Sequence, residues 1–245
     1  MLLREVHVAP VAEVQVWAAV GSADEEPGQG GLAHFHEHML FKGTERRGVG
    51  EITTAVEGVG GRINAYTSFD VTCYHATLPS AEVSVGLEVL ADSVQHSLFD
   101  PEEIDREIEV VLEEIRSAED DPHHVLSDEI FRTAYQVHPY RGPILGVRED
   151  VAGFDHEKLS SFYRRWYTPD KLVVVAVGDF ENARILQEIR ALFADAKPGK
   201  ASRNRPDEPE QTALRTTLLR RPFERTCLDL SWSTVGFRHP DAPLL

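Results

Sequence analysis

Gly30-Gly-Leu-Ala-His34-Phe-His36-Glu37-His38-Met39-Leu-Phe-Lys-Gly43-Thr44 is the stretch around which this chain reads. At about 100° per residue, His34, Glu37 and His38 stand at i, i+3 and i+4 of a helix over 32–42 and share one face. Two imidazoles at that spacing can bind one zinc ion, and a carboxylate beside them can handle the proton of a water. His36 lies roughly 200° around the helix from His34, so it cannot join them. Packing or solvent is its expected environment. The same helix carries Leu32, Phe35, Met39, Leu40 and Phe41. It is therefore partly buried, and polar groups pointing into such surroundings need partners. A metal ion would satisfy three at once.

The order H-x-x-E-H is the reverse of the thermolysin-type H-E-x-x-H and marks a distinct class of zinc peptidases. Composition leaves room for that chemistry and narrows the alternatives. The chain has 245 residues, 42% hydrophobic and 27% charged, which is ordinary for a soluble globular protein with ample core. Its formal charge of −16 argues against nucleic acid or an anionic membrane as partner, since both demand clustered Lys and Arg. Cys73 and Cys227 are the only cysteines, too few for a disulfide framework or a cysteine-based zinc site. The longest apolar run, 172–177, is far too short for a membrane span. No signal peptide is visible at the N-terminus, so a cytoplasmic location is expected.

Outward from the His/Glu helix, strand and helix patterns alternate. Residues 2–20 alternate as a strand ending in a buried run, and Gly21–Gly31 is a loop. A helix at 49–59 stops at the glycine cluster 58–61. Strands at 62–67 and 71–77 flank a Ser68-Phe-Asp70 turn. A helix from Pro79-Ser80 has Val83, Leu87, Leu90 and Val94 at helical spacing. Pro101 opens another, with Asp100 as N-cap. That helix holds ten acidic residues between 101 and 121 against two Arg, with a core stripe of Ile104, Ile108, Val111, Leu112 and Ile115. Helices at 124–136, 154–167 and 181–196 surround Lys171–Asp179, which reads as a fully buried strand. The polar, proline-rich run 197–211 is a linker. One or two strands are expected over 213–235.

A catalytic zinc takes three protein ligands and keeps a fourth position open. No further His-x-x-His or Cys pair offers the third, so a carboxylate of the acidic helix is the natural source. Glu107 and Glu114, two turns apart, share a face, and Glu109 and Glu113 sit on neighbouring strips.

Four separated motifs now converge: G-S-x-x-E near 21–26, G-L-A-H-F-x-E-H-M-L-F-K-G-T at 31–44, G-G-x-x-N-A-x-T at 60–67 and E-x-x-V-V-L-E-E-I around 107–115. Together they resemble the pitrilysin/insulinase (M16) metallopeptidases, closest to the bacterial and mitochondrial-processing-peptidase-like branch. The resemblance runs from about residue 5 to the end of the chain. It implies Zn2+ held by His34, His38 and Glu114, with Glu113 as fallback, and Glu37 as general base. Glu107 would hydrogen-bond a His ligand or support the site from behind. The strand holding Asn64 and Ala65 would offer its edge to an extended peptide substrate. The implied fold is α+β, a mixed, mostly antiparallel sheet with helices packed on one side.

Members of that family close a chamber from two homologous halves. Residues 1–196 would be the zinc-binding half-domain, 197–211 the linker, and 212–245 the beginning of a second domain, too short for its own core. A second half-domain or a partner chain is therefore expected to complete the activity. Two other readings compete with a zinc endopeptidase. One is a non-catalytic scaffold relative, which typically loses the ligands present here. The other is a zinc-dependent lyase resembling S-ribosylhomocysteine lyase, which shares H-x-x-E-H but takes a Cys ligand, for which Cys73 would have to serve.

Overall fold

Alternation builds the sheet. In the computed structural model, which describes residues 1–244, the elements run β1 (Leu2–Glu5), β2 (Val11–Ala18), α1 (Leu32–Met39), α2 (Glu51–Glu57), β3 (Arg62–Thr67), β4 (Thr72–Pro79), α3 (Val83–His96), α4 (Pro101–Asp120), α5 (Pro122–Ala134), α6 (Arg148–Val151), α7 (His156–Trp166), β5 (Leu172–Gly178) and α8 (Asn182–Leu192). Along β2, Ala12, Val14, Val16 and Ala18 are buried while Glu13, Gln15 and Trp17 stay half-buried. One face of the sheet therefore packs on the core and the other stays open. On the open face Trp17 and Tyr66 meet edge to face, ring centres 5.9 Å apart.

The strand order is β1-β5-β2-β4-β3. Only β1 and β5 run parallel; β2 pairs antiparallel with both β5 and β4, and β3 antiparallel with β4. This is the expected mixed, mostly antiparallel α+β fold. It leaves β3 as an edge strand. Val83, Leu87, Leu90 and Val94 of α3 are buried, and so are Ile104, Val111 and Ile115 of α4. Asp100 caps α4 by accepting from the Glu102 and Glu103 amides, with Pro101 at the first helical position, as its sequence predicts. No helix among the described residues is long and apolar enough to cross a membrane.

Three expectations change. The strand read over 2–20 is two strands, separated by residues 6–10. Pro10 lacks an amide to donate to a ladder, and the break sends β1 past β2 to pair with β5. The run 171–179 is not fully buried: Val173 and Val177 are 39% and 38% exposed, because every second residue of β5 lies on the open face. The strands expected over 213–235 do not form. Leu214, Leu218, Leu228 and Trp232 are exposed there, and among the described residues no neighbouring strand offers this segment a ladder. Leu245, the last residue of the expected second unit, lies outside the described residues.

Candidate metal centre

The helix that carries the histidines is started by backbone geometry and a borrowed carboxylate. Gly31, its N-cap, has φ +92°, and a Cβ there would lie 2.5 Å from the Leu145 carbonyl oxygen, so only glycine fits. Glycine has no side chain to cap the helix. Glu25 does so instead, accepting from the Gly31 and Ala33 amides at 3.0 and 2.8 Å, while burial outweighs those bonds and raises its carboxyl to about 8. Asp150 anchors the preceding residue, accepting from the Gly30 amide at 2.9 Å.

One turn on, three groups converge. Glu114 Oε2 lies 3.7 Å from His34 Nε2 and 3.6 Å from His38 Nε2. The three ligand atoms all fall within 4.8 Å of one another. A tetrahedral zinc with bonds of about 2.0–2.1 Å needs ligand atoms about 3.3–3.4 Å apart, so both carboxylate separations are within a few tenths of an ångström. Burial pushes the His34 imidazole down to about 3, helped by His38 beside it, which keeps the ring neutral with a lone pair to donate. Behind His38, Nδ1 donates to Glu107 Oε1 at 2.7 Å, leaving Nε2 free toward Glu114. Glu107 is itself buried and takes Lys42 Nζ at 2.5 Å. Burial raises its carboxyl, but His38 and Lys42 outweigh that and hold it below the usual carboxylate range.

Glu37 flanks the cluster. Its Oε2 accepts from Thr67 Oγ1 at 2.6 Å, and burial raises its carboxyl above the ordinary value against the pull of Thr67 and His38. Thr67 closes β3, so the edge strand and the metal helix meet at this bond. Asn64 is exposed on the same strand, its Oδ1 accepting from the Ala65 amide at 2.9 Å.

The other candidates separate cleanly. Glu113 is turned to solvent and paired with Arg116. His36 is fully buried among Phe99, Phe162 and Tyr167, its ring nitrogens facing the Leu32 and Leu159 carbonyls at 2.7 and 2.9 Å. That is the packing role. Cys73 stands opposite Trp17 and Tyr66 in the ladders and takes no part in the cluster, so the lyase ligand set is not assembled. Glu25, Thr67 and Lys42 escaped the sequence reading. All three lie inside quoted motifs, but a motif does not say which backbone amide or carboxylate its residue will meet.

Comparison with known proteins gives the family. Residues 1–148 match the family described as Insulinase (Peptidase family M16). The chain belongs to peptidase family M16. Residues 153–245 match a second M16 description, the Peptidase M16 inactive domain. Among curated relatives, a protein of Bacillus subtilis named "Uncharacterized zinc protease YmxG" is 38% identical over 191 residues, covering 77% of this chain and 46% of its own. A protein of Arabidopsis thaliana named "Probable mitochondrial-processing peptidase subunit beta" is 37% identical over 185 residues, 76% of this chain and 35% of its own. A crystal structure of a protease from Helicobacter pylori superposes with a TM-score of 0.79 at 30% identity, covering 87% of this chain and 52% of that one. The M16 chain described here thus spans about half the length, or less, of these relatives. The family is one of peptidases, and the relatives are named zinc protease and mitochondrial-processing peptidase.

Proposed function

We propose that the chain is the zinc-binding half of an endopeptidase that hydrolyses extended peptides. The observation that carries this reading is the convergence of His34, His38 and Glu114 beside a carboxylate, Glu37, that belongs to none of the ligand contacts. Two imidazole nitrogens and one carboxylate oxygen are a donor set that zinc accepts while keeping an open position, so the residues fit the ion. Zinc held there supplies Lewis acidity to a carbonyl oxygen and to an attacking water.

The remaining work falls to the chain's own side chains. Glu107 holds His38 in the tautomer that presents Nε2. Glu37 takes a proton from the attacking water and returns it to the leaving amine, and Thr67 holds one of its oxygens so that the other is free for the proton. The free edge of β3 at Asn64 and Ala65 is suited to pairing with an extended backbone. The short share of its relatives' length that the chain covers supports a second half-domain, on the same chain or a partner, closing the site.

Glu37→Gln is the direct test. Against a mixture of unstructured peptides read by mass spectrometry, the variant should lose about 10²–10⁴-fold in rate while metal analysis finds zinc unchanged. Wild-type rates in the variant would sink the base assignment. Trimming from peptide ends instead of internal cuts would sink the endopeptidase assignment.

A further inference from the structure

The run 203–208, polar and without secondary structure, is seated on the catalytic half by specific contacts. Asp24 is buried to the last few per cent, yet its Oδ1 receives Arg205 at 2.9 Å and Arg203 at 3.2 Å, while Oδ2 accepts from the Gly21 amide at 3.1 Å. Arg205 also binds the Asp70 carboxylate, and Arg203 the Asp70 carbonyl. Three residues on, Glu208 accepts from three consecutive amides, Gln136, Val137 and His138, at 2.7, 3.0 and 2.9 Å. A free tether has no reason to fill a row of backbone donors and to neutralise a buried carboxylate.

What these contacts hold matters for the metal helix. The residue after Asp24 is Glu25, the side chain that caps α1, bonding the amides of Gly31 and Ala33 immediately before the ligand His34. We propose that residues 203–208 are a strap that positions α1, with Arg205 acting through Asp24 and Glu25 as positioning residues for the metal ligands. Without Arg205 the buried Asp24 carboxylate loses the guanidinium that ties it to Asp70 and keeps only Arg203 as its cation. The turn Ser22–Asp24 then opens toward water and draws Glu25 off the helix. The two caps are not interchangeable, since Gly31 has nothing to offer in exchange.

This inference rests on the metal-site reading above, and its experiment separates the two. Zinc affinity of the full chain is measured by competition with a chromophoric chelator, alongside hydrogen exchange at the Gly31 and Ala33 amides. Arg205→Ala should weaken zinc binding about tenfold, as loss of a group behind the ligands does, and should speed exchange at those two amides. Arg205→Lys should recover much of both. Glu25→Gln should weaken zinc at least as much, and adding Arg205→Ala to it should change nothing further. Unchanged zinc affinity and exchange in Arg205→Ala would overturn the proposal, and so would effects of the two substitutions that simply add. Where Glu25→Gln fails to fold, the Ala and Lys variants of Arg205 decide alone. A wild-type chain that binds no zinc sinks the metal reading but leaves the exchange result to judge the strap.

Discussion

Thr67 and Glu107 each touch a residue of the site without themselves reaching the metal position, and they act on different quantities. The Thr67 hydroxyl donates to Glu37 at 2.6 Å, a hydrogen bond to a charged group worth about 1.5–3 kcal/mol. Thr67→Val should therefore lower kcat about tenfold or more with KM nearly unchanged, and Thr67→Ser should restore it. A Val variant with the wild-type kcat would show that the bond does not hold the base. Glu107 instead fixes His38, so Glu107→Gln should cost about 10–100-fold in zinc affinity, read by chelator competition. Equal affinity in the two proteins would remove Glu107 from the support of the ligand.

The start of α1 is where an element depends on one backbone conformation. Gly31 sits at φ +92° with the Leu145 carbonyl oxygen 2.5 Å from any Cβ. Gly31→Ala should cost about 1–2 kcal/mol for the left-handed conformation alone, and more for the close approach. Denaturant unfolding of the zinc-free protein measures it; unchanged stability would mean that the turn can relax. The strap adds an acid-sensitive contact at the end of α5. Burial raises the Glu208 carboxyl, but the amides of His138, Val137 and Gln136 and the nearby Arg215 outweigh it, bringing it from 4.5 down to about 2. A carboxyl depressed on folding contributes stability that is full above its unfolded value and is lost as the pH falls through the folded one. Between about pH 4.5 and 2 the strap contact should weaken, visible as faster amide exchange at Gln136, Val137 and His138. Glu208→Gln should abolish that pH dependence.

At the scale of the molecule, the site and the chamber are separate questions. On the proposed reading residues 1–245 hold the three ligands and the base, so the chain by itself should bind about one zinc. We expect it to hydrolyse peptides weakly until the remaining half is supplied, and full activity of this chain alone would overturn that expectation. The exposed Leu214, Leu218, Leu228 and Trp232 fit a segment that has no ladder to join here. Much of this was legible without coordinates. Helical spacing placed His34, Glu37 and His38 on one face, alternation marked β2, and Pro101 with Asp100 announced α4, because each of these signals is local to its own element. The choice among Glu107, Glu109, Glu113 and Glu114 was not local, since one residue of helical phase moves a carboxylate by about 100°, and only the packing of α4 against α1 decides which one meets the histidines. The same holds for Glu25 on the Gly31 and Ala33 amides and for Arg205 on Asp24. Sequence by itself determined the chemistry of the donors and the elements that carry them; tertiary structure decided which donors meet, because those contacts join positions far apart in the chain and depend on how rigid elements cross.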